Sequence, residues 1–539
     1  MWTIFKSRRR AIVLLLILNV LVMFFGFKYI FQSPDTYDNF AGNPHLGNGF
    51  EFEGGVVRTK NNLDGNYNPS KQQAGNSELF DEMNEDPSAY GPPEVLPEEK
   101  FIAYLPHSGF HNQRIELENA LLLAAMLNRT LLVPNVLLGP AMPWTRFDKL
   151  YARLLLMTKR GLEHCPSVPE TLPLPVECLS YEENTQVPWD FLFDLSELEK
   201  HIRIVRRYDI SLEWIYQNLH MTAKDVYYFK DNSPYDYSFI DNKFSTTPLG
   251  RFEHRYNLDT LREKPHKLIH FNSMFGSYRV RAQLPENRHF IEIIRRNLIF
   301  RNPLLISTAQ RIIDQLGGQG TYVGLHLRVG DGNFARRASI NVDQMYHYLT
   351  DGFTHLTKEQ INFLEGGTHE QDILEDTSYE VKRPDEPIYG KKNTNPVQQP
   401  TFAPKVKRSL FETTRPGRRE LKKCRPASHP NLNGNINLRI FIATDASNPE
   451  KNPLLRKMFN TFPCVFTLSD FEADLDVIKN YRNKKEKINM AKYLVPMLDA
   501  IISASGHSFM GTKDSTFSSY IERQLHPIYN KKPLVIADQ

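Results

Sequence analysis

A histidine and an arginine, His326 and Arg328, stand two residues apart at the end of an apolar, β-branched stretch that begins at Thr321, and Gly330 and Gly332 follow. Side chains two apart on a β-strand point to the same face. Ligands of open parallel sheets bind beyond the carboxyl ends of the strands, and a guanidinium suits the paired oxygens of a diphosphate. The stretch therefore predicts a diphosphate-binding strand end, with a structural ion pair of Arg328 as the alternative.

A second polar turn lies between Pro106 and Arg114. Its glycine permits close backbone approach, and a following helix would offer free N–H groups at its start. An ordinary capped helix would not require two histidines, an amide pair and an arginine together, so the turn favours a binding or catalytic function. The candidate residues are His107, Gly109, Phe110, His111 and Asn112.

Two further turns carry hydroxyl and carboxylate groups. Thr444 and Asp445 end an apolar run and could accept hydrogen bonds from a ribose, a sugar or a base, with helix capping as the alternative. A hydroxyl-rich helix start after a glycine predicts an anion site. Capping would need one hydroxyl there, whereas residues 514–518 supply three, on Ser515, Thr516 and Ser518, with Phe517 between the last two.

Several motifs of nucleotide and hydrolase chemistry are absent from the sequence. It holds no P-loop, no G-x-G-x-x-G fingerprint and no G-x-S-x-G elbow. The only D-x-D sequence, Asp474–Asp476, is away from the strand-end turns, so we expect no bound metal. Arg328 and helix N-termini would then stabilise the charge of a leaving diphosphate. The net charge of +4, from nearly balanced acids and bases, gives no indication of nucleic-acid binding.

The N-terminus predicts a membrane anchor. A basic segment, residues 1–10, precedes an apolar run at 11–31, close to the roughly 20 residues that cross a bilayer. The positive-inside rule places residues 1–10 in the cytoplasm and the rest in a lumen. A cleaved signal peptide is the alternative, but no A-x-A-like site is found. Residues 32–98 have the polar composition of a flexible stem.

Strands alternating with helices predict an α/β fold with parallel sheets in two domains, residues 99–300 and 301–539. Residues 366–436 form a charged, proline-rich insertion, expected to be a surface excursion or disordered. The expected strands are 101–105, 131–134, 321–328, 439–445 and 465–468, and the expected helical segments are 115–127, 194–208, 303–316, 450–459 and 488–498.

Four cysteines, Cys165, Cys178, Cys424 and Cys464, match no zinc pattern. In a lumen an even set is expected to be oxidised, with three possible connectivities. The local pairing of Cys165 with Cys178 and of Cys424 with Cys464 is the simplest.

Each of the four polar turns resembles one signature of the protein O-fucosyltransferase family, and the turns follow the family's order. His111 stands where relatives often have glycine, and the insertion has no family counterpart. The resembling segments are Gly109–Gln113 with Asn128–Pro134, His326–Arg328, Phe441–Asp445, and Asp514–Ser518 with Ile521 and Arg523.

The resemblance implies a GT-B fold and an inverting, metal-independent transfer of fucose from GDP-fucose to a Ser or Thr hydroxyl, without a cofactor. By position, Arg328 would bind the diphosphate and stabilise the departing GDP, and His326 would contact the nucleotide. Asn112 would lie beside sugar and acceptor, after Gly109 and Phe110. Asp445 and Ser515–Phe517 would hold the nucleoside and phosphates, and His107 and His111 are candidate bases.

These inferences describe a glycosyltransferase anchored in the Golgi or endoplasmic reticulum membrane. Use of another GDP-sugar or of a glycan acceptor is one alternative. A luminal binding protein that keeps the fold without catalysis is another. The joint presence of Asn112, Arg328 and Asp445 argues against the second alternative.

Overall fold

The computed structural model describes residues 92–169, 171–330, 332–365, 420–429, 436–534 and 536. The predicted cytoplasmic tail, the membrane anchor and nearly all of the predicted stem therefore lie outside the described residues. No helix within the described ranges is both long enough and apolar enough to span a membrane.

The strands are short and mostly buried. They are β1 (Phe101–Tyr104), β2 (Thr130–Pro134), β3 (Val136–Leu138), β4 (Thr185–Val187), β5 (Ile204–Arg207), β6 (Val226–Phe229), β7 (Tyr237–Ile240), β8 (His254–Asn257), β9 (Leu268–Phe271), β10 (Val280–Arg281), β11 (Val323–Leu327), β12 (Ile440–Thr444), β13 (Val465–Phe466) and β14 (Ser508–Gly511).

The helices surround these strands, and a π-helical turn, Ile521–Leu525, separates the last two. They are α1 (Phe110–Leu127), α2 (Phe147–Leu156), α3 (Ser196–Glu199), α4 (Leu212–Asn218), α5 (Asp259–Arg262), α6 (Pro285–Asn297), α7 (Pro303–Gln315), α8 (Gly332–Arg336), α9 (Ala338–Phe353), α10 (Lys358–Glu365), α11 (Arg456–Thr461), α12 (Glu472–Lys479), α13 (Ala491–Ala504), α14 (Thr516–Tyr520) and α15 (His526–Tyr529).

Two parallel sheets carry the architecture and confirm the predicted α/β class. The first has the order β5-β2-β1-β9-β6 and the second the order β13-β12-β11-β14. β1 and β11 are central, and each pairs in parallel with both neighbours. The strands of the first sheet precede residue 300 and those of the second follow it. The domain boundary itself remains a prediction.

Close helix packing on the second sheet explains one glycine of the β11 stretch. A Cβ atom on Gly324 would lie 2.0 Å from the carbonyl oxygen of Ser503, near the end of α13. Since no side chain could fit that gap, glycine lets the apolar α13 lie directly on β11. This contact fixes the strand that ends in the predicted site.

Both predicted disulfides are present, Cys165–Cys178 and Cys424–Cys464. The second joins residues 420–429 to Cys464, directly before β13, and the N–H of Lys422 donates to the carbonyl of Gln315 at the end of α7. This part of the predicted insertion is therefore packed, because the disulfide and backbone bonds hold it. The remainder, residues 366–419 and 430–435, lies outside the described residues.

Three predicted helices differ from the structure. α1 begins at Phe110, five residues before the predicted start, because polar residues conceal the helical periodicity of its first turns. The segment 194–208 contains only the single turn α3, and Ile204–Arg207 is the edge strand β5, as its β-branched residues favour. Two 3₁₀ turns replace the first part of the helix predicted at 450–459.

Smaller differences concern element ends. α13 runs from Ala491 to Ala504 instead of 488–498. β13 ends at Phe466, two residues before the predicted end, because a 3₁₀ turn begins at Leu468. α7 matches the helix predicted at 303–316.

Candidate functional site

The end of β11 holds His326 inside the strand and Arg328 one residue beyond it, since β11 ends at Leu327. The two residues were expected to share a strand, and this detail was wrong. His326 is buried, whereas Arg328 is partly exposed. The guanidinium carbon of Arg328 lies 4.5 Å from the ring centroid of Phe334 on α8. A cation placed over an aromatic face is a favourable contact that restrains the side chain.

His326 is enclosed by the turn after β14. Its Nδ1 lies 2.6 Å from the hydroxyl oxygen of Ser518, and its ring centroid lies 4.3 Å from that of Phe517. Burial, followed by the charge of Arg328, lowers the pKa of His326 to about 3. The imidazole is therefore neutral at physiological pH and can donate through only one of its nitrogens.

The hydroxyl-rich turn uses two of its three hydroxyls internally. Ser515 caps α14 by accepting from the N–H of Ser518 at 3.3 Å, and Ser518 contacts His326. The hydroxyl of Thr516 makes no hydrogen bond to any described residue and is partly exposed. The capping alternative thus accounts for Ser515, and Thr516 is the hydroxyl best placed to meet a ligand.

Asp445 holds the turn that follows β11. Its two carboxylate oxygens accept from the backbone N–H groups of Val329 at 2.7 Å and Gly330 at 3.1 Å. A Cβ on Gly330 would lie 2.8 Å from Oδ2, so glycine allows this close approach. Each carboxylate oxygen still has a further lone pair. The expected contact of Asp445 with a nucleoside therefore stays a prediction.

Asn112 lies in the first turn of α1, after the extended N-cap residue Gly109. Its Nδ2 donates to the hydroxyl of Ser108 at 2.7 Å, and its buried Oδ1 has no hydrogen-bond partner among the described residues. Ser108 has a φ of 68° and its N–H donates to the carbonyl of Met142 at 2.6 Å. An unpartnered buried amide oxygen is costly unless a ligand or water donates to it, so Asn112 is a strong ligand-contacting candidate.

His111 joins the first helix to the turn of the second sheet. Its ring centroid lies 4.7 Å from that of Phe517 and 5.4 Å from that of Tyr520. Burial, then the nearby Arg114, lowers the pKa of His111 well below its usual value. Such an imidazole is a weak base. The role of His111 is therefore better explained by its contact between α1 and α14 than by proton transfer.

His107 is enclosed and partnered within the protein. Its Nε2 lies 2.7 Å from the hydroxyl oxygen of Ser273 and 3.1 Å from Oε1 of Glu116. Burial, then Arg279, lowers its pKa to about 3. Serine and carboxylate meet the same ring nitrogen, whereas a hydrolase triad places them on opposite nitrogens. His107 and Glu116 therefore support the turn, and the predicted role of His107 as a base gains no geometric support.

Phe110 and Arg114 have packing partners that need no ligand. The ring centroid of Phe110 lies 6.0 Å from that of Phe300. The guanidinium carbon of Arg114 lies 4.4 Å from the centroid of Tyr520, and its Nη1 donates to Gln524 at 3.2 Å. The contacts of Arg114 attach α1 to the helices after β14. They bring His111 of α1, Phe517 of α14 and His326 of β11 together.

Sequence reasoning missed two residues that organise this site. Ser108 orients Asn112, and Thr512 bonds the backbone at the end of β11. The only sequence signal for Thr512 was its place directly after Gly511 at a strand end. Within the described residues, the sets of side chains close enough to share a cation are His164–Cys165–Cys178, whose cysteines are disulfide-bonded, and Asp236–Glu253–His254. Neither set contains a residue of the candidate site.

Comparison with known proteins identifies a related segment. No protein-family model matches the chain. Over 39 residues the chain is 59% identical to "O-fucosyltransferase 30" from Arabidopsis thaliana, which is 7% of this chain and 8% of that protein. The predicted resemblance to O-fucosyltransferases is confirmed over this segment, which spans only a small part of the relative's length.

Solved structures of POFUT1 in complex with GDP and with GDP-fucose align with most of the chain. They cover 82% of this chain and 98% of theirs at 13% identity, with TM-scores of 0.35 and 0.34. At these scores the similarity establishes neither a shared ligand nor a shared reaction.

Proposed function

We propose that this protein is a GDP-fucose-dependent O-fucosyltransferase that modifies a Ser or Thr hydroxyl of a secretory-pathway protein. The observation that carries the proposal is the contact of Phe517 with both His326 and His111. His111 is the neighbour of Asn112, whose buried Oδ1 has no hydrogen-bond partner among the described residues. The 39-residue identity to an O-fucosyltransferase supports the same conclusion. The two parallel sheets are consistent with a GT-B arrangement, in which the first would hold the acceptor and the second the donor.

In the proposed reaction, the acceptor oxygen bonds to the anomeric carbon of fucose while the bond from that carbon to the diphosphate oxygen of GDP breaks, and the acceptor hydroxyl loses its proton to solvent. Attack on the face opposite GDP inverts the anomeric centre. Arg328 would stabilise the charge that develops on the leaving diphosphate. Asn112 would accept a hydrogen bond from a hydroxyl of the acceptor or the sugar through Oδ1, which has no partner among the described residues.

No metal or cofactor enters this proposal, because the D-x-D sequence Asp474–Asp476 lies in α12, away from the strand ends. The charge compensation that a metal would provide is assigned to Arg328 and to the turn at Thr516. Anchoring in the Golgi or endoplasmic reticulum membrane by residues 11–31 is part of the proposal and rests on the sequence alone.

Calorimetry on the full-length chain in detergent tests the proposal. GDP-fucose is expected to bind more tightly than GDP-mannose or any UDP-sugar, with equal affinity in the presence and absence of EDTA. Tighter binding of GDP-mannose would favour the alternative of another GDP-sugar. Preference for UDP, or binding abolished by EDTA, would contradict the proposal. Binding without transfer to any protein or glycan acceptor would identify an inactive binding protein.

A further inference from the structure

Thr512 follows β14 directly and lies beside the end of β11. Its backbone N–H donates to the carbonyl of His326 at 2.9 Å, which extends the pairing of the two strands by one residue. Its hydroxyl donates to the same carbonyl at 3.0 Å and accepts from the N–H of Arg328 at 2.9 Å. Thr512 is only 2% exposed, so water does not replace these bonds. One hydroxyl therefore joins the backbone groups on both sides of Leu327.

Asp445 occupies the other side of the same turn, where it accepts from the N–H groups of Val329 and Gly330. Asp445 and Thr512 together provide a hydrogen-bond acceptor for the backbone N–H groups of residues 328, 329 and 330. A backbone nest for an anion needs free N–H groups. This turn can therefore contact an anion only through its side chains, which makes their direction decisive.

Arg328 lies one residue beyond the strand, where regular pairing no longer fixes the backbone dihedral angles. A guanidinium that donates hydrogen bonds to two oxygens of one diphosphate must be positioned to within a fraction of an ångström. The nearest restraint on its backbone is the bond from its own N–H to Thr512. The carbonyl of His326 is held by the same hydroxyl.

We propose that Thr512 is a positioning residue that sets the directions of the His326 ring and the Arg328 guanidinium toward one ligand. The inference rests on the proposed function, in which Arg328 binds the donor diphosphate. A purely structural role of Thr512 would instead lower stability without acting through Arg328, and the two roles have separable consequences.

A pair of variants and a double-mutant cycle distinguish the positioning role of Thr512 from a purely structural one. Thr512→Val keeps the branched shape and removes both hydroxyl bonds, whereas Thr512→Ser keeps the hydroxyl. We expect Thr512→Val to lower kcat at least about tenfold and Thr512→Ser to stay within about threefold of the wild type. In an Arg328→Lys background, Thr512→Val should change kcat by less than about twofold. An equal loss in both backgrounds, or a wild-type rate for Thr512→Val, would overturn the proposal.

Hydrogen exchange provides a readout that requires no ligand. In the full-length chain, the peptide that contains the Arg328 amide should exchange slowly in the wild type and in Thr512→Ser, and at least about tenfold faster in Thr512→Val. Unchanged exchange in Thr512→Val would overturn the positioning role. Faster exchange in a protein that binds no GDP-sugar would leave the positioning role standing and contradict the proposed function instead.

Discussion

The hydroxyl oxygen of Ser518 lies 2.6 Å from Nδ1 of His326, and this contact links the strand end of β11 to α14. Both residues are buried, with exposed fractions of 3% and 7%. Within the described residues, His326 Nδ1 is the only hydrogen-bond partner of the Ser518 hydroxyl, so the hydroxyl can donate its proton to that nitrogen alone. The hydroxyl is therefore the donor, so His326 carries its proton on Nε2 and presents an N–H to the site.

Ser518→Ala should destabilise the protein by about 1–2 kcal/mol, because Nδ1 of His326 would stay buried without a partner. It should also weaken GDP binding, because the protonated nitrogen of His326 would no longer be fixed. Urea denaturation and calorimetry with GDP measure the two effects. Ser519→Ala, at the neighbouring and less buried position, is the matched control and should change neither. Unchanged GDP affinity in Ser518→Ala would contradict the assigned proton position.

Arg328→Lys should lower turnover at least about a hundredfold while the protein stays folded. Lysine keeps the charge but loses the planar fork that pairs with two oxygens and lies over Phe334. Steady-state kinetics with GDP-fucose measure the effect. Arg296→Lys, in an exposed ion pair with Glu292 on α6, is the control. A near-normal rate in Arg328→Lys would show that Arg328 is structural, the alternative left open by its sequence.

Acidification should destabilise the folded state through His326. Its pKa is near 6.5 when unfolded and about 3 when folded, through burial and the charge of Arg328, so between these values the unfolded chain binds more protons. The free energy of unfolding should therefore fall as pH drops below 6.5, by up to about 1.4 kcal/mol per pH unit.

A comparison with His326→Gln isolates this contribution from other titrating groups, including the partly buried His111. Between pH 6.5 and pH 5, the wild type should lose about 1.6 kcal/mol more stability than the variant in urea denaturation. If the free energy of unfolding changes with pH equally in the wild type and in His326→Gln, His326 does not contribute to the pH dependence of stability.

Removal of the Cys424–Cys464 disulfide by double Cys→Ser substitution should lower the free energy of unfolding by about 4 kcal/mol. Its cysteines are 40 residues apart in sequence, so the bond restricts the unfolded chain over a long loop. Removal of Cys165–Cys178, with a separation of 13 residues, should cost about 1 kcal/mol less. Denaturant unfolding of both variants tests the order, and a larger loss for the shorter loop would contradict it.

Strong local patterns allowed much of the fold to be predicted. The apolar strands β1, β2, β11 and β12, the helix α7 and both disulfides follow from composition and spacing. The helix predicted at 194–208 was wrong, because this segment contains a single helical turn and a short edge strand, and its periodicity is mixed. The predicted start of α1 was wrong because polar residues occupy its first turn, where they line the candidate site instead of packing in the core.

The sequence by itself determined which residues stand at the strand ends, since parallel strands bring polar residues after apolar runs to one edge. Thus His326, Arg328, Asp445 and Asn112 were identifiable from their positions. Only the tertiary structure decided which polar groups are already used within the protein. Thr512, Ser518 and Ser108 take their partners from segments distant in sequence or across a turn, and such hydrogen bonds depend on distances that no local pattern encodes.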